Sequence, residues 1–195
     1  MPLKNTQDAW GSVHKLLHWL IALAVVGLLC VGWYMHEMPN SPDKIRIYAL
    51  HKSFGITVLT LMLVRVAWRW SNPRPALPST MKGWERTLAG VVHGGLYAAL
   101  LAMPLSGWLF NSASNFPLKW FGLFKMPALT GPDRDLKLLA QDVHWALSWV
   151  IVTLVVLHVA GALKHHFVDR DDVLKRMMPA RRTAPPPAAN PETAP

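Results

Sequence analysis

Four runs of mostly apolar residues constrain the fold of this 195-residue chain more than any other feature of its sequence. An α-helix needs about 20 mostly apolar residues to cross a bilayer. The runs show no alternation of apolar and polar residues, and each is longer than an ordinary β-strand. We therefore predict an all-α fold, a four-helix transmembrane bundle. The predicted spans are residues 16–35, 53–70, 88–110 and 144–163.

The composition is that of a membrane protein. Hydrophobic residues make up 52% of the chain and charged residues only 16%, against about 25% charged residues in soluble domains. The ten Trp residues mostly fall near the predicted span ends, as in the aromatic belts of membrane proteins. The single cysteine, Cys30, lies within an apolar run, which excludes an intrachain disulfide and a Cys-based zinc or iron–sulfur site.

The charge of the chain is strongly positive, with a net charge of +9. Such a balance is also typical of nucleic-acid-binding proteins. Here, however, the Lys and Arg residues lie between the apolar runs and towards the C-terminus, and no nucleic-acid-binding motif is present, so we expect no nucleic-acid partner. Most of them fall on the side of the two termini and of the connection between the second and third spans. The positive-inside rule therefore predicts that both termini are cytoplasmic.

Three regions are predicted along the chain. Residues 1–15 form a cytoplasmic N-terminal segment, residues 16–182 the membrane domain, and residues 183–195 a disordered tail rich in Ala and Pro. The first span follows a segment containing Asp8 and shows no small-residue cleavage pattern, so we expect it to be retained. Residues 111–143 form a long outward connection with a possible short helix around residues 134–141, which is the largest place for a partner to dock.

Four of the nine histidines pair by depth in the predicted spans. His144 and His158 are 14 residues apart on the fourth span, which places them ~21 Å apart on nearly the same helix face. His51 lies at the outer mouth of the second span, level with His144, and His18 lies near the inner end of the first span, level with His158. Two imidazole pairs at two depths are what two stacked haem groups require as axial ligands. The alternative is that such residues are polar side chains that join helices.

Several separated segments resemble the bacterial cytochrome b561 family. They are LLHW at 16–19, HKSFGITVLTLMLVRVAWR at 51–69, HGGLYAALLAMPLSGW at 93–108, VHWALSWVIVTLVVLHVAGALKHHF at 143–167 and LKRMMP at 174–179. The resemblance implies a four-helix protein of the bacterial inner membrane with two b haems held between the helices. Each haem would be bound by two histidines, and the protein would pass electrons between a donor and the quinone pool.

The resemblance also implies which histidines bind iron. Carried over by position, His18 and His158 would ligate the inner haem, and His51 and His144 the outer haem. This assignment agrees with the pairing by depth. One alternative stays open, because His14 lies one turn before His18 on the same helix face and could replace it or bond a propionate.

Two arginines on the second span are candidates for binding the haem propionates. Arg65 lies 14 residues after His51, on the same helix face and at the depth of the inner haem. An arginine at such a depth needs an anion, and forked bonds from Arg65 and Arg69 to propionates would supply one. The alternative is that these side chains extend to the cytoplasmic surface.

The remaining inner histidines are candidates for the quinone site. His93, His165 and His166 lie on the inner side without an assigned iron. Together with Arg65, they could bind a quinone carbonyl and relay the protons that quinone reduction consumes, since imidazole titrates near neutral pH. Contact with lipid headgroups is an equally good interpretation of His165 and His166.

The outward side carries basic residues that could attract an anion to the outer haem. The resemblance to the cytochrome b561 family implies superoxide as a candidate for this anion, because one branch of that family oxidises superoxide and reduces ubiquinone. A redox protein is the other candidate electron donor. Five acidic residues on the same side weaken the field, so an ordinary solvated loop surface is an equally good interpretation. The basic residues are Lys44, Arg46, Lys52, Lys119, Lys125, Arg134 and Lys137.

We therefore predict a di-haem membrane cytochrome b, an oxidoreductase or electron-carrier subunit that transfers electrons from a periplasmic donor to ubiquinone. A first alternative is the cytochrome b subunit of a hydrogenase or formate dehydrogenase-like complex. A second is a His-lined metal or proton transporter without haem, which would need a continuous polar path, whereas the span interiors contain almost no carboxylates.

Overall fold

The computed structural model describes residues 2–7, 9–78 and 81–178. The predicted disordered tail, residues 183–195, lies outside the described residues. Helices dominate, and a two-stranded antiparallel ladder lies between the third and fourth of them. The elements are α1 (Ser12–Glu37), α2 (Pro42–Trp70), α3 (Gly83–Ala113), β1 (Lys119–Trp120), β2 (Phe124–Lys125), α4 (Arg134–Phe167) and α5 (Val173–Met177).

The four long helices α1 to α4 are each long and apolar enough to cross a membrane. This confirms the prediction of a helical bundle with four spans, and each helix extends beyond its predicted apolar run. Capping side chains explain two of the starts. Ser41 accepts a hydrogen bond from the Lys44 backbone N–H before α2, where Pro42 is the first helical residue, and Asp133 accepts one from the Leu136 N–H before α4.

The prediction of a separate short helix at residues 134–141 is wrong, because these residues are the first turns of α4. The Asp133 cap starts the helix there, and the sequence from 134 to 144 holds neither Pro nor Gly to interrupt it. The outer connection therefore shortens from residues 111–143 to residues 114–133. It contains the ladder, in which Lys119 pairs with Lys125 and Trp120 with Phe124, and which the sequence did not predict.

The buried core is an apolar layer to which all four long helices contribute. Ile151 of α4 lies seven residues from both His144 and His158, and Val58 of α2 lies seven residues from both His51 and Arg65. Since seven residues are about two turns, the apolar layer lies midway between the two predicted haem levels. Its buried members are Ile21, Val25, Val58, Met62, Ala99 and Ile151.

The end of the bundle that carries the two termini is closed by hydrogen bonds between segments far apart in sequence. On α1, Lys15 and Trp19 donate from their side chains to the backbone carbonyls of Met178 and Met177, at 3.2 and 3.0 Å. The Ala76 N–H donates to the Gln7 carbonyl at 2.9 Å. The N-terminal segment, the α2–α3 connection and α5 therefore pack as one cap.

Candidate functional site

One pair of histidines, called here the outer pair, joins α2 to α4. The rings of His51 and His144 have centroids 6.4 Å apart and planes at 73°, and both side chains are half-buried. A cavity lies against both rings and is lined by apolar side chains from all four long helices. These include Val25, Val58, Leu100 and Ile151.

The hydrogen bonds of His144 orient its ring. Its Nδ1 lies 3.0 Å from the Met103 carbonyl and 3.0 Å from Ser106 Oγ. Ser106 donates its own proton to the Met103 carbonyl at 2.8 Å, so both partners of Nδ1 are acceptors. Nδ1 therefore carries the hydrogen, and the lone pair is on Nε2, the tautomer that a metal ligand needs. Met103 and Ser106 are site residues that the sequence did not predict.

Glycines allow close packing around the outer pair. A Cβ at Gly107 would lie 2.9 Å from His144 Cε1, and a Cβ at Gly32 would lie 3.4 Å from His51 Cε1. Gly55, which lines the cavity, has no atom within 4 Å of where its Cβ would be. Gly107 is thus the position at which a side chain would displace the His144 ring. It lies in one of the segments that carry the family resemblance, but its role could not be predicted from the sequence.

A second pair, called here the inner pair, joins α1 to α4. The His18 and His158 ring centroids are 6.0 Å apart with planes at 69°, and His93 of α3 lies with its centroid 5.1 Å from that of His158. His14 is 3% exposed, and its ring stacks on Trp10 at 4.1 Å. The structure thus places His18 opposite His158 and stacks His14 on an indole.

The geometry of both pairs fits a metal-centred group with two axial imidazoles. An imidazole nitrogen lies about 2 Å from a bound metal and the ring centroid about 1 Å further, so two axial rings on one metal have centroids about 6 Å apart. The observed separations are 6.0 and 6.4 Å. His51 Nδ1 is buried without a hydrogen-bond partner among the described residues, so, unlike that of His144, the tautomer of the His51 ring is not fixed by a hydrogen bond from these residues.

Arg65 lies directly against the inner pair. Its Nη2 is 3.1 Å from His18 Nδ1, and its Nε donates to the Tyr97 hydroxyl at 3.1 Å. A guanidinium has only donors, so His18 Nδ1 accepts in this arrangement and the ring hydrogen is on Nε2. A metal bound at Nε2 requires the opposite tautomer. The Arg65–His18 hydrogen bond and a metal on His18 Nε2 therefore exclude each other.

The inner site has positive charge without a matching carboxylate. Arg65 and Arg69 stack over the Tyr97 ring at 5.5 and 5.1 Å. Among the residues that the structure describes, neither arginine forms an ion pair with Asp or Glu. Guanidiniums within a membrane span need an anion. The arrangement fits carboxylates brought by a bound group, and Tyr97 is a site residue that the sequence analysis missed.

The other predicted inner histidines contact different partners. His165 Nδ1 lies 2.7 Å from Asp171 Oδ2 and 3.1 Å from Asp169 Oδ2, and the same Asp169 pairs with Lys164 at 2.7 Å. The His166 ring packs edge-on against Phe167. The structure therefore brings His93 and Arg65 to the inner pair, and places His165 and His166 at the end of α4 with the segment that follows.

The hairpin of β1 and β2 is attached to α2 next to the outer pair. The Phe121 N–H donates to Ser53 Oγ at 3.0 Å, and Trp120 Nε1 donates to Thr57 Oγ1 at 3.1 Å. Ser53 and Thr57 lie within two turns after His51. The hairpin therefore holds its two lysines, Lys119 and Lys125, at the outer end of the helix that carries His51.

Other predicted outward basic residues already have partners. Lys52 donates to Asn111 Oδ1 at 2.9 Å, and Lys44 donates to the Met38 carbonyl at 2.5 Å. Arg46 forms an exposed ion pair with Asp43 at 3.8 Å. Lys119 and Lys125 are thus the outward lysines whose position is fixed close to the outer pair by backbone pairing.

Comparison with known proteins identifies the chain's relatives. The profile of the prokaryotic cytochrome b561 family matches residues 9–180. Cytochrome b561 homolog 2 of Escherichia coli (strain K12) is 34% identical over 189 residues, which cover 91% of this chain and 95% of the relative. Cytochrome b561 homolog 1 of the same strain is 27% identical over 179 residues, covering 90% of this chain and 99% of the relative.

A third relative has a more specific name. The probable superoxide oxidase CybB of Yersinia pestis is 29% identical over 169 residues, which cover 85% of this chain and 93% of the relative. The family match covers all four long helices and both histidine pairs. Haem b binding and membrane electron transfer follow from it. With four spans, paired histidines and this match, the chain belongs to the prokaryotic cytochrome b561 family.

Proposed function

We propose that this chain holds two b haems and moves single electrons from a donor on the outer side to ubiquinone on the inner side. His51 and His144 would ligate the outer haem, and His18 and His158 the inner one. The observation that carries the proposal is that both ring pairs have the centroid separation of two axial ligands, 6.4 and 6.0 Å. When bound, haem iron supplies reversible one-electron chemistry, and the chain supplies position, burial and charge.

At the inner pair the guanidiniums have a definite task. Were His18 Nε2 to hold haem iron, Nδ1 would carry the ring hydrogen and could no longer accept from the Arg65 guanidinium, which has only donors. The released guanidinium, with Arg69 beside it, would then bind the haem propionates by forked, charge-assisted hydrogen bonds. Tyr97 keeps both arginines at this level through its hydroxyl and its ring.

Superoxide is the proposed donor at the outer pair. Lys119 and Lys125 lie side by side on a hairpin attached to the outer end of α2, and adjacent cations attract a small anion. A relative is named as a probable superoxide oxidase. Two superoxide anions would each lose one electron and leave as dioxygen, and one ubiquinone would gain both electrons and two protons.

The quinone site is proposed beside the inner pair. His93 is exposed on the bundle surface while its ring lies 5.1 Å from that of His158, so a quinone arriving through the lipid can contact both. The His93 imidazole would donate to a quinone carbonyl and hold a proton for it. His165, hydrogen-bonded to Asp171 at 2.7 Å, would hold a further proton at the same end of the bundle.

The orientation follows from the distribution of charge. We place the inner pair, the cap and both termini on the cytoplasmic side of a bacterial inner membrane, since the termini and the α2–α3 connection carry most of the basic residues. The transporter alternative conflicts with the apolar layer of Ile21, Val58, Met62 and Ile151, which separates the two histidine levels among the described residues. A role as a subunit of a larger redox complex would appear as co-purification of a large partner.

The haem stoichiometry tests the proposal. Pyridine haemochrome analysis of the purified protein should give about two b haems per chain. His51→Ala and His144→Ala should each lose the outer haem, and His18→Ala and His158→Ala the inner one. His166→Ala, which removes a histidine outside both pairs, is the matched control and should keep both. A ratio of one haem, or full loading in the His51 and His144 variants, contradicts the proposal.

A further inference from the structure

A cleft separate from both histidine pairs lies at the outer ends of α1 and α4. It has a volume of about 190 Å³ and is lined by Trp33, His36, Glu37, Trp145 and Trp149. Trp33 faces Trp149 with ring centroids 5.5 Å apart, and His36 faces Trp145 at 5.3 Å. The Trp145 and Trp149 rings stand at 84° to each other. Trp145 and Trp149 thus form two walls at right angles, each backed by a second ring, and this corner is called here the aromatic cage.

The cage has the electrostatic character of a cation site. The faces of indole rings carry negative potential and attract ammonium groups. Within the described residues, the cation–π contacts of the protein's own Lys and Arg are made over Tyr48 and Tyr97, and none is made over these indoles. The Glu37 carboxylate forms no ion pair with a Lys, Arg or His side chain among those that the structure describes. In a chain with a net charge of +9, Glu37 is thus a carboxylate that the described Lys and Arg side chains leave without an ion pair, although the Lys44 ammonium lies nearby on the Met38 carbonyl.

We propose that this cage binds the ammonium headgroup of a zwitterionic phosphatidylethanolamine-type lipid. The position selects a lipid, because Glu37 is the last residue of α1 and a span end lies at the headgroup level. Trp145 and Trp149 are 44% and 52% exposed, so a lipid beside the bundle could reach them from the side. A cavity needs about 10–15 Å³ of such volume to hold one water, so a cleft of about 190 Å³ accommodates an ethanolamine group.

The bound lipid would close the bundle beside the outer pair. Trp33 follows Gly32, whose backbone packs against the His51 ring, and Trp145 follows His144 in the sequence. A headgroup between the two indoles would fill the space between α1 and α4 at that level and keep water from it. The inference does not depend on the identity of the electron donor or of the quinone.

The test uses haem-loaded protein, stripped of lipid in detergent and titrated with short-chain phosphatidylethanolamine or phosphatidylglycerol under native mass spectrometry. Phosphatidylethanolamine should bind about tenfold more tightly than phosphatidylglycerol, as expected for a cation held by aromatic faces and a carboxylate. Glu37→Gln and Trp149→Leu should each reduce that preference about fivefold or more. Trp84→Leu, which removes an exposed indole on α3, should leave it unchanged.

Three results would overturn the proposal: equal binding of the two lipids, an equal loss in Trp84→Leu, or binding of a short-chain quinone in place of the ammonium lipid. The visible haem spectrum of each variant reports whether it is folded. If Trp149→Leu fails to load haem, Glu37→Gln still decides, because a carboxamide has nearly the same shape as the carboxylate and lacks only the charge.

Discussion

Gly107→Ala is the substitution with the sharpest predicted effect on one haem alone. The added Cβ would lie 2.9 Å from His144 Cε1 and 3.2 Å from its Nδ1. Ordinary carbon–carbon contacts are about 3.5–4.0 Å, so the ring must move by about 0.6 Å or more. That movement conflicts with the two 3.0 Å contacts of Nδ1 with Met103 and Ser106.

The size of the effect follows from overpacking. Forcing an extra methyl group into a packed site costs about 1–3 kcal/mol, which corresponds to a loss of about 5- to 150-fold in affinity for the outer haem. The inner haem should keep its affinity, because His18 and His158 lie at the other end of the bundle. Haem stoichiometry by pyridine haemochrome and a spectroelectrochemical titration of each haem measure the two sites separately.

A matched control is available on the same helix. Gly90 of α3 has no atom within 4 Å of the position of an added Cβ, so Gly90→Ala should retain both haems and leave the potential of each unchanged. If Gly107→Ala retains the outer haem with normal affinity and potential, the close approach of Gly107 to His144 does not constrain the ligand, and the reasoning is refuted.

Three further predictions concern charge and proton supply. Arg65→Gln should weaken loading of the inner haem and leave the outer haem in place. Arg65→Lys should restore inner-haem loading only partly, because an ammonium cannot form the forked bond. Equal loading in the wild-type protein and both variants would show that Arg65 does not hold the propionates. Neutralising Lys119, Lys125 and Lys137 together should slow haem reduction by superoxide and remove the salt dependence of its rate, since charges act over ~10 Å at 0.1 M salt. The rate is measured by stopped flow at several salt concentrations. A salt dependence that stays the same in the variant would favour a protein donor. His93→Ala should slow re-oxidation of the reduced protein by a short-chain quinone without loss of haem, and an undiminished rate would move the quinone site away from His93.

The spans and the histidine levels could be predicted from the sequence because both depend on spacing within one helix. An apolar run of about 20 residues crosses a bilayer whatever it packs against. Likewise, the 14-residue interval from His51 to Arg65 places Arg65 at the inner level, where the structure finds it 3.1 Å from His18. Rise per residue alone is sufficient for such predictions.

The residues that the sequence did not reveal depend on the rotation of one helix against another. Ser106, Gly107 and Tyr97 acquire their roles only when α3 turns a particular face to α4 and α2. A spacing rule for one helix carries no information on that rotation. The hairpin is a second case, because strands of two residues leave no periodic pattern, and its position rests on hydrogen bonds to Ser53 and Thr57.

The apolar layer between the two histidine levels has an electrical consequence. Ile151 and Met62 are each 1% exposed, and an apolar layer of this kind disfavours the entry of water and, with it, of any hopping proton. Electrons can tunnel across a dense hydrocarbon layer that hydrated ions cannot enter. The core that stabilises the bundle would thus also act as an insulator for ions. A turnover that took electrons from one face of the membrane and protons from the other would build up a membrane potential, and this layer would keep ions from flowing back through the protein.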